Sequence, residues 1–208
     1  MSRHIARPTR RAAKLAAWIA VPAAVLISGA AVAGGSYSAF SATTSNPTNN
    51  WSAGTVALTD DDANVAMFNT TAASAGNLKP GSTGTKCILV TSTGSLPSVV
   101  KLYGSSAATT NALSSYIDLT ITQGSGATSS SCTGFTPLAS GSAVYSGTLA
   151  NFGSSYSSYA NGITSWTTTG AASETRAYQF TYTVQSTAPN SAQGGTAALG
   201  FTWEAQNS

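Results

Sequence analysis

The feature that most constrains this fold is an alternation of apolar and polar residues with a period of two. In the stretch 176–185 every second residue is aromatic or aliphatic, namely Tyr178, Phe180, Tyr182 and Val184. Successive side chains of a β-strand point to opposite faces of its sheet, so this stretch is predicted to be a strand with one buried face. The stretches 117–122 and 198–205 repeat the pattern.

Five further runs are strand candidates because their apolar residues are bounded by glycine, proline or serine turns. These runs are 54–59, 66–69, 85–91, 98–103 and 143–149. Residues 87–90 are apolar on both faces, which predicts a central strand, and helical spacing within 149–163 predicts one short helical turn. About eight short strands imply an all-β fold, an antiparallel sandwich of two sheets for which the jelly roll is the natural example.

The first 39 residues have the organisation of an export signal. Five basic residues lie within the first fourteen positions, an apolar run spans 15–32, and small residues follow. This order predicts a helical signal peptide, although the apolar run is also long enough to stay as a membrane anchor. Ala33 and Ala39 each end a stretch of small residues that suits a signal peptidase, so cleavage is expected after one of them. Contact with the membrane is then limited to the signal before cleavage.

Export determines how the two cysteines are interpreted. Cys87 and Cys132 are 45 residues apart in the sequence. Thiols that reach an oxidising compartment pair by default, so we expect one intramolecular disulfide bond. A metal or redox site would require a second cysteine pair or nearby histidines, and the sequence has neither.

The sequence lacks the residues on which many enzymes depend. Its single histidine, His4, lies in the signal, which excludes Ser-His and Cys-His nucleophiles and histidine-bound zinc from the mature chain. Beyond residue 39 there are four basic and six acidic residues, so no basic surface for nucleic acid is expected. We therefore expect a protein without catalytic residues, without a cofactor and without a nucleic-acid partner.

Two sets of carboxylates are the remaining candidates for chemistry. Asp118 and Glu204 would suit a glycosidase if the fold brought them together, but both fall on polar strand faces, where solvated carboxylates are the commoner case. Asp60, Asp61 and Asp62 follow an apolar run and offer oxygen ligands for a weak calcium site. A plain acidic turn is the simpler interpretation of the same three residues.

Three tryptophans beyond the signal are candidates for sugar platforms. Trp203 alternates like a core residue, whereas Trp51 and Trp166 have no clear periodic context. A monomeric module that binds surface glycans is therefore one functional hypothesis.

Short motifs in a fixed order resemble those of the TasA/camelysin family, and the last of them resembles its actinobacterial branch. They lie at 34–41 (GGSYSAFS), 51–58 (WSAGTVAL), 77–82 (NLKPGS) and 188–205, which ends in FTWEA. The resemblance implies a jelly-roll domain at 51–208, a SipW-dependent type of signal peptide at 1–39, and cleavage between Ala39 and Phe40. It also implies a secreted protein of the cell surface or biofilm matrix. The camelysin metalloprotease activity finds no catalytic residue here, because the mature chain has no histidine.

Residues 40–50 are predicted to be a mobile arm between the signal and the sandwich. Fibre subunits of this family are thought to donate an extended N-terminus to a neighbour's sheet, and a donor strand needs apolar side chains at alternate positions. Phe40 and Ala42 are the alternate apolar residues of the arm, and Pro47 ends any pairing because it lacks an N–H group. We therefore expect a structural component of the surface or matrix, whose partner is a second copy or a wall component.

We predict that the secreted chain begins at Phe40. The measurement is N-terminal sequencing of the protein recovered from the culture medium. An N-terminus at Gly34 would instead show cleavage after Ala33 and would count against the family resemblance.

Overall fold

The computed structural model describes residues 52–70 and 75–207. Within these ranges the chain forms nine β-strands and one short α-helix. They are β1 (Leu58–Asp60), β2 (Thr83–Ser92), β3 (Ser98–Thr109), β4 (Ile117–Ser125), β5 (Thr136–Pro137), β6 (Ala143–Thr148), α1 (Leu149–Ser155), β7 (Ile163–Thr168), β8 (Glu174–Val184) and β9 (Ala197–Asn207). Short 3-10 helices span Leu113–Tyr116 and Asn190–Ala192.

The strands form two antiparallel sheets. The first has the order β1-β2-β8-β4-β5, with β6 also paired to β4, and the second has the order β7-β3-β9. The sheets pack face to face, and aromatic rings of β8 contact rings of β9 across the interface. The predicted all-β sandwich of two antiparallel sheets is therefore confirmed.

β8 lies at the centre of the first sheet and supplies the middle of the core. It pairs with β2 along one side and with β4 along the other. The four residues that alternate along this strand, Tyr178, Phe180, Tyr182 and Val184, are all buried. Burial of a side chain such as Phe180 stabilises the fold by roughly 1.5–3 kcal/mol relative to exposure.

The helix α1 confirms the short helical turn predicted within 149–163. Thr148 caps it, because its hydroxyl accepts a hydrogen bond from the Asn151 N–H at 3.2 Å. Phe152 is completely buried and contacts the rings of Tyr145 and Phe201. The helix therefore adds Phe152 to the core between the sheets, and Leu149 packs against the same core.

A loop after β4 covers part of the outer face of the first sheet. Cys87 on β2 is bonded to Cys132 in this loop, with the two Cα atoms 5.3 Å apart, so the predicted disulfide bond is confirmed. The loop lies over Ala177 of β8, and Ala127 and Phe135 join the same small apolar cluster. Residues on an outward face are apolar here because the disulfide loop shields them from water.

The uncovered part of this outer face carries hydroxyl side chains in register. Thr85 of β2 lies opposite Thr181 of β8, which in turn lies opposite Thr120 of β4. The hydroxyl oxygens of Thr85 and Thr181 are 3.1 Å apart. Threonine suits such positions because its branched side chain favours a strand while its hydroxyl group remains hydrated.

Two of the predicted strands are wrong, one in part and one entirely. Of the stretch 54–59, only Leu58 and Thr59 belong to a strand, and Thr55 and Ala57 instead accept backbone hydrogen bonds from the turn at 93–96. The stretch 66–69 is a loop from which Met67 and Phe68 pack against the core. A pattern of apolar residues shows that a segment has a buried side, but it does not show that the segment is a strand. A loop that packs against the core also has a buried side.

β2 is not the central strand that residues 87–90 predict. It pairs with β8 over ten positions but with β1 over only three, so it is second from the edge. Its residues are apolar on both faces because Ile88 and Val90 face the core while Cys87 and Leu89 lie beneath the disulfide loop. The strands β5 and β7 are not predicted from the sequence.

The predicted signal peptide (1–39) and arm (40–50) lie outside the described residues. In the part of the chain that the structure describes, no helix is both long enough and apolar enough to cross a bilayer.

We predict that Cys87→Ser lowers the melting temperature. Closing a loop of this length stabilises a fold by about 4 kcal/mol in the chain-entropy model. For a domain of this size the loss corresponds to a fall of roughly 10 °C. Calorimetry measures the shift, and thiol titration of the unfolded, unreduced wild-type chain should find no free thiol. Two free thiols, or an unchanged melting temperature, would contradict the prediction.

Candidate strand-binding groove

β9 is an edge strand along its whole length. It pairs with β3 on one side, and no described strand pairs with its other side. An edge of this kind presents unpaired N–H and C=O groups that another strand can bind. At 11 residues, β9 is a long edge.

One hydrogen bond identifies which backbone groups of β9 face this open edge. The N–H of Gly104 on β3 donates to the Tyr156 carbonyl at 2.7 Å, on the side of β3 that faces away from β9. Opposite residues of an antiparallel pair exchange either both hydrogen bonds or neither. Gly104 lies opposite Phe201, so the N–H and C=O of Phe201 point toward the open edge. By alternation, those of Trp203 and Ala205 do the same.

A groove lined mainly by apolar residues runs between this edge and the first sheet. A cavity of about 340 Å³ lies along β9 from Leu199 to Trp203, and Met67, Phe68 and Ile88 also line it. A smaller cavity of about 170 Å³ adjoins it at Phe201 and Trp203 and is also lined by Leu58, Thr202 and Val90. The groove exists because β1 has only three residues and leaves most of the β2 edge without a paired strand.

Carboxylates line one rim of the larger cavity. Asp60, Asp62 and Asn64 all contribute to its lining. Asp60 Oδ1 accepts a hydrogen bond from the Asp62 N–H at 3.4 Å, and Asp62 Oδ1 accepts one from the Asn64 N–H at 2.9 Å. Burial and a hydrogen bond shared with Asp60 raise the pKa of the Asp62 carboxyl, and the Asn64 N–H partly offsets this rise.

The Asp61 side chain points away from this rim and has a structural role. Its Oδ1 accepts the Leu89 N–H at 2.9 Å and its Oδ2 accepts the Ser129 N–H at 2.7 Å. The Ser129 hydroxyl returns a hydrogen bond to the Asp61 carbonyl at 2.6 Å. Asp61 therefore connects the start of the domain to β2 and to the disulfide loop.

The directions of these three carboxylates argue against the calcium site suggested by the sequence. Asp61 diverges from Asp60 and Asp62, so the three carboxylates do not converge on one point. Among residues 52–70 and 75–207, no group of three or more histidine, cysteine or acidic side chains is placed to hold a metal ion.

The structure separates the two carboxylates that a glycosidase would need together. Asp118 lies on the outer face of the first sheet, where it accepts a hydrogen bond from Gln185 at 2.7 Å. Glu204 lies on the outer face of the second sheet, where it accepts one from the Tyr103 hydroxyl at 2.7 Å. The outer faces of two packed sheets point in opposite directions, and the sheets themselves are roughly 10 Å apart. These carboxylates cannot flank one sugar bond.

Two of the three candidate tryptophans, Trp166 and Trp203, lie in the described part of the chain, and their environments differ. Trp166 is buried between the sheets, with the guanidinium of Arg176 lying 5.5 Å from its ring centre, so it offers no open platform. Trp203 packs against the core, as its alternation predicts, and also lines the groove. Trp51 lies outside the described residues, as do Ala39, Phe40 and Ala42.

The groove itself is not predicted from the sequence. Its walls combine β9 with a loop that the alternation misidentifies as a strand, and only the pairing of the strands shows that β9 is an edge. The sequence offers one indication of the groove. Phe201 and Trp203 are two large aromatic residues that alternate near the end of the last predicted strand.

No protein-family model matches this chain, and no curated protein matches it.

We predict an alternating pattern of amide exchange along β9 in the monomeric protein. The N–H groups of Phe201, Trp203 and Ala205 should exchange rapidly because they face the open edge, whereas those of Thr202 and Glu204 should be protected by β3. Residue-resolved hydrogen exchange by NMR measures this difference. Uniform protection along β9 would show that another segment already covers the edge.

Proposed function

We propose that this protein is a secreted structural component of the bacterial cell surface or extracellular matrix that assembles by strand addition. One observation carries the proposal, the open edge of β9 beside an apolar groove. In this assembly the N-terminal arm of one copy enters the groove of the next. The backbone groups of Phe201, Trp203 and Ala205 supply the hydrogen bonds, and the groove receives the apolar side chains of the arm.

The sequence of the arm fits this role. Residues 40–50 carry no charged side chain, so burying them leaves no charged side chain without a partner. Phe40 and Ala42 fall on the same face of an extended strand. Fully extended, the arm spans about 36 Å, which is enough to follow the length of β9. Pro47 would mark the end of the paired part.

The energetics favour a repeated contact over an isolated one. Each added backbone hydrogen bond contributes about 0.5–1.5 kcal/mol net. Burial of Phe40 adds roughly 1.5–3 kcal/mol. Association of two molecules costs an estimated 4–15 kcal/mol, so a single junction is weak. Assembly should therefore depend strongly on protein concentration and should favour extended polymers, in which each copy is held at two junctions.

The proposal that the protein is secreted rests on three features. The N-terminal sequence is typical of an export signal, the disulfide bond suits an oxidising compartment, and the motifs resemble the TasA/camelysin family. The absence of histidine after His4 supports a structural role over a metalloprotease activity of the camelysin type.

A second candidate function is binding of a surface glycan in the same groove. The favouring observation is that Trp203 lines the larger cavity together with Asp60, Asp62 and Asn64. Sugars are commonly bound by an aromatic face and polar side chains, so this combination is suitable. A glycan-binding module would stay monomeric, whereas a strand-adding subunit would not.

We predict that the chain 40–208 forms concentration-dependent polymers in light scattering, and that the chain without residues 40–50 stays monomeric. Phe40→Ser should weaken assembly at least tenfold because the arm loses its main apolar anchor. Val65→Lys should do the same from the acceptor side, because Val65 is exposed and lines the larger cavity, where the added charge would meet the apolar side chains of the arm.

The matched control is Ala198→Lys, which adds the same charge at an exposed position of β9 that lines neither cavity and should leave assembly unchanged. Melting temperatures verify that each variant is folded. Monomeric behaviour of all chains at every concentration would contradict strand addition and leave the glycan-binding function as the better explanation.

A further inference from the structure

The larger cavity of the groove has an apolar floor and an acidic rim that lacks a positive partner. Phe68, Ile88 and Phe201 line its floor, while Asp60 and Asp62 lie on its rim. In the described part of the chain, no lysine or arginine forms an ion pair with either carboxylate. The cavity therefore combines a space for a large apolar group with an unneutralised negative charge.

The rim carboxylates retain free acceptor capacity. The hydrogen bonds of Asp60 and Asp62 to the neighbouring backbone N–H groups use the Oδ1 atom of each. The two carboxylates also lie close enough to share a hydrogen bond, and this proximity helps to raise the pKa of Asp62. A cation placed between them would relieve their mutual repulsion and complete their hydrogen bonding.

The arm contains one group that matches both parts of the cavity. Residues 40–50 contain no lysine or arginine, so the only positive charge available is the α-ammonium that cleavage after Ala39 creates on Phe40. The same residue carries the only aromatic ring of the arm. The phenyl ring and the ammonium of one terminal residue thus correspond to the apolar floor and the acidic rim.

We propose that the larger cavity binds the free N-terminus of a second copy. This inference rests on the strand addition proposed above and specifies its anchor. The Phe40 ring lies among Phe68, Ile88 and Phe201, and the α-ammonium is held by Asp60 and Asp62. Ala42, about 6.6 Å further along the strand, then reaches the smaller cavity when the arm runs in the same direction as β9.

Signal cleavage would then control assembly. In the precursor the Phe40 nitrogen is part of a peptide bond with Ala39, so it carries no charge, and the preceding chain would have to pass through the acidic rim. A chain cleaved after Ala33 would keep six extra residues before Phe40. Only a chain cut directly before Phe40 presents the ring and the ammonium together.

The test measures binding of a synthetic peptide of residues 40–50 to the chain 40–208 carrying Phe40→Ser, whose own arm is a poor competitor. Isothermal titration calorimetry compares the peptide with a free amino terminus and the same peptide after N-terminal acetylation. We expect the free peptide to bind at least tenfold more tightly. In a variant with both Asp60→Asn and Asp62→Asn, this difference should disappear.

The matched control is Asp118→Asn, which removes a carboxylate from the outer face of the first sheet and should preserve the tenfold difference. Equal affinity of the free and acetylated peptides would overturn recognition of the N-terminus while leaving strand addition intact. If neither peptide binds and the wild-type chain is also monomeric, both proposals fail. A wild-type monomer whose Phe40 amine resists chemical labelling would show that each groove holds its own arm, which also overturns binding between copies.

Discussion

The contact between β8 and β9 is the interaction on which the rest of this structure depends. The rings of Phe180 and Phe201 are 4.7 Å apart, and those of Tyr178 and Trp203 are 5.2 Å apart. These pairs join the two sheets near the middle of the core. β9 is thus held by its inner face and by its pairing with β3, while its other edge has no paired strand among the described residues.

The outer face of the first sheet has a covered part and a hydrated part, and both differ from the edge of the sheet. The disulfide loop shields Cys87, Leu89 and Ala177, while threonines occupy the hydrated remainder. Asp61 joins that loop to the start of the domain through two backbone N–H groups. Beyond β1, the edge of β2 has no paired strand among the described residues, and the groove lies between this edge and β9.

The sequence was sufficient to predict the elements whose burial is strictly one-sided. β4, β8 and β9 are found where alternation places them, and the disulfide bond was predicted from the expected export and the number of cysteines. The sequence could not distinguish the loop holding Met67 and Phe68 from a strand, because a short apolar run between polar residues marks burial in either. The groove was beyond prediction for another reason. Whether β9 is an edge depends on pairing between segments as distant as β3 and β9, which no local pattern records.

The link between Asp61, β2 and the disulfide loop also has a mechanical consequence. Tension applied to the chain before β1 reaches Asp61 after only a few residues. From there it passes through hydrogen bonds at Leu89 and Ser129, two residues from Cys87 and three from Cys132. The covalent bond between those cysteines stops the loop from peeling away under load. The domain is therefore reinforced against pulling at its N-terminal end, near the point where the load enters.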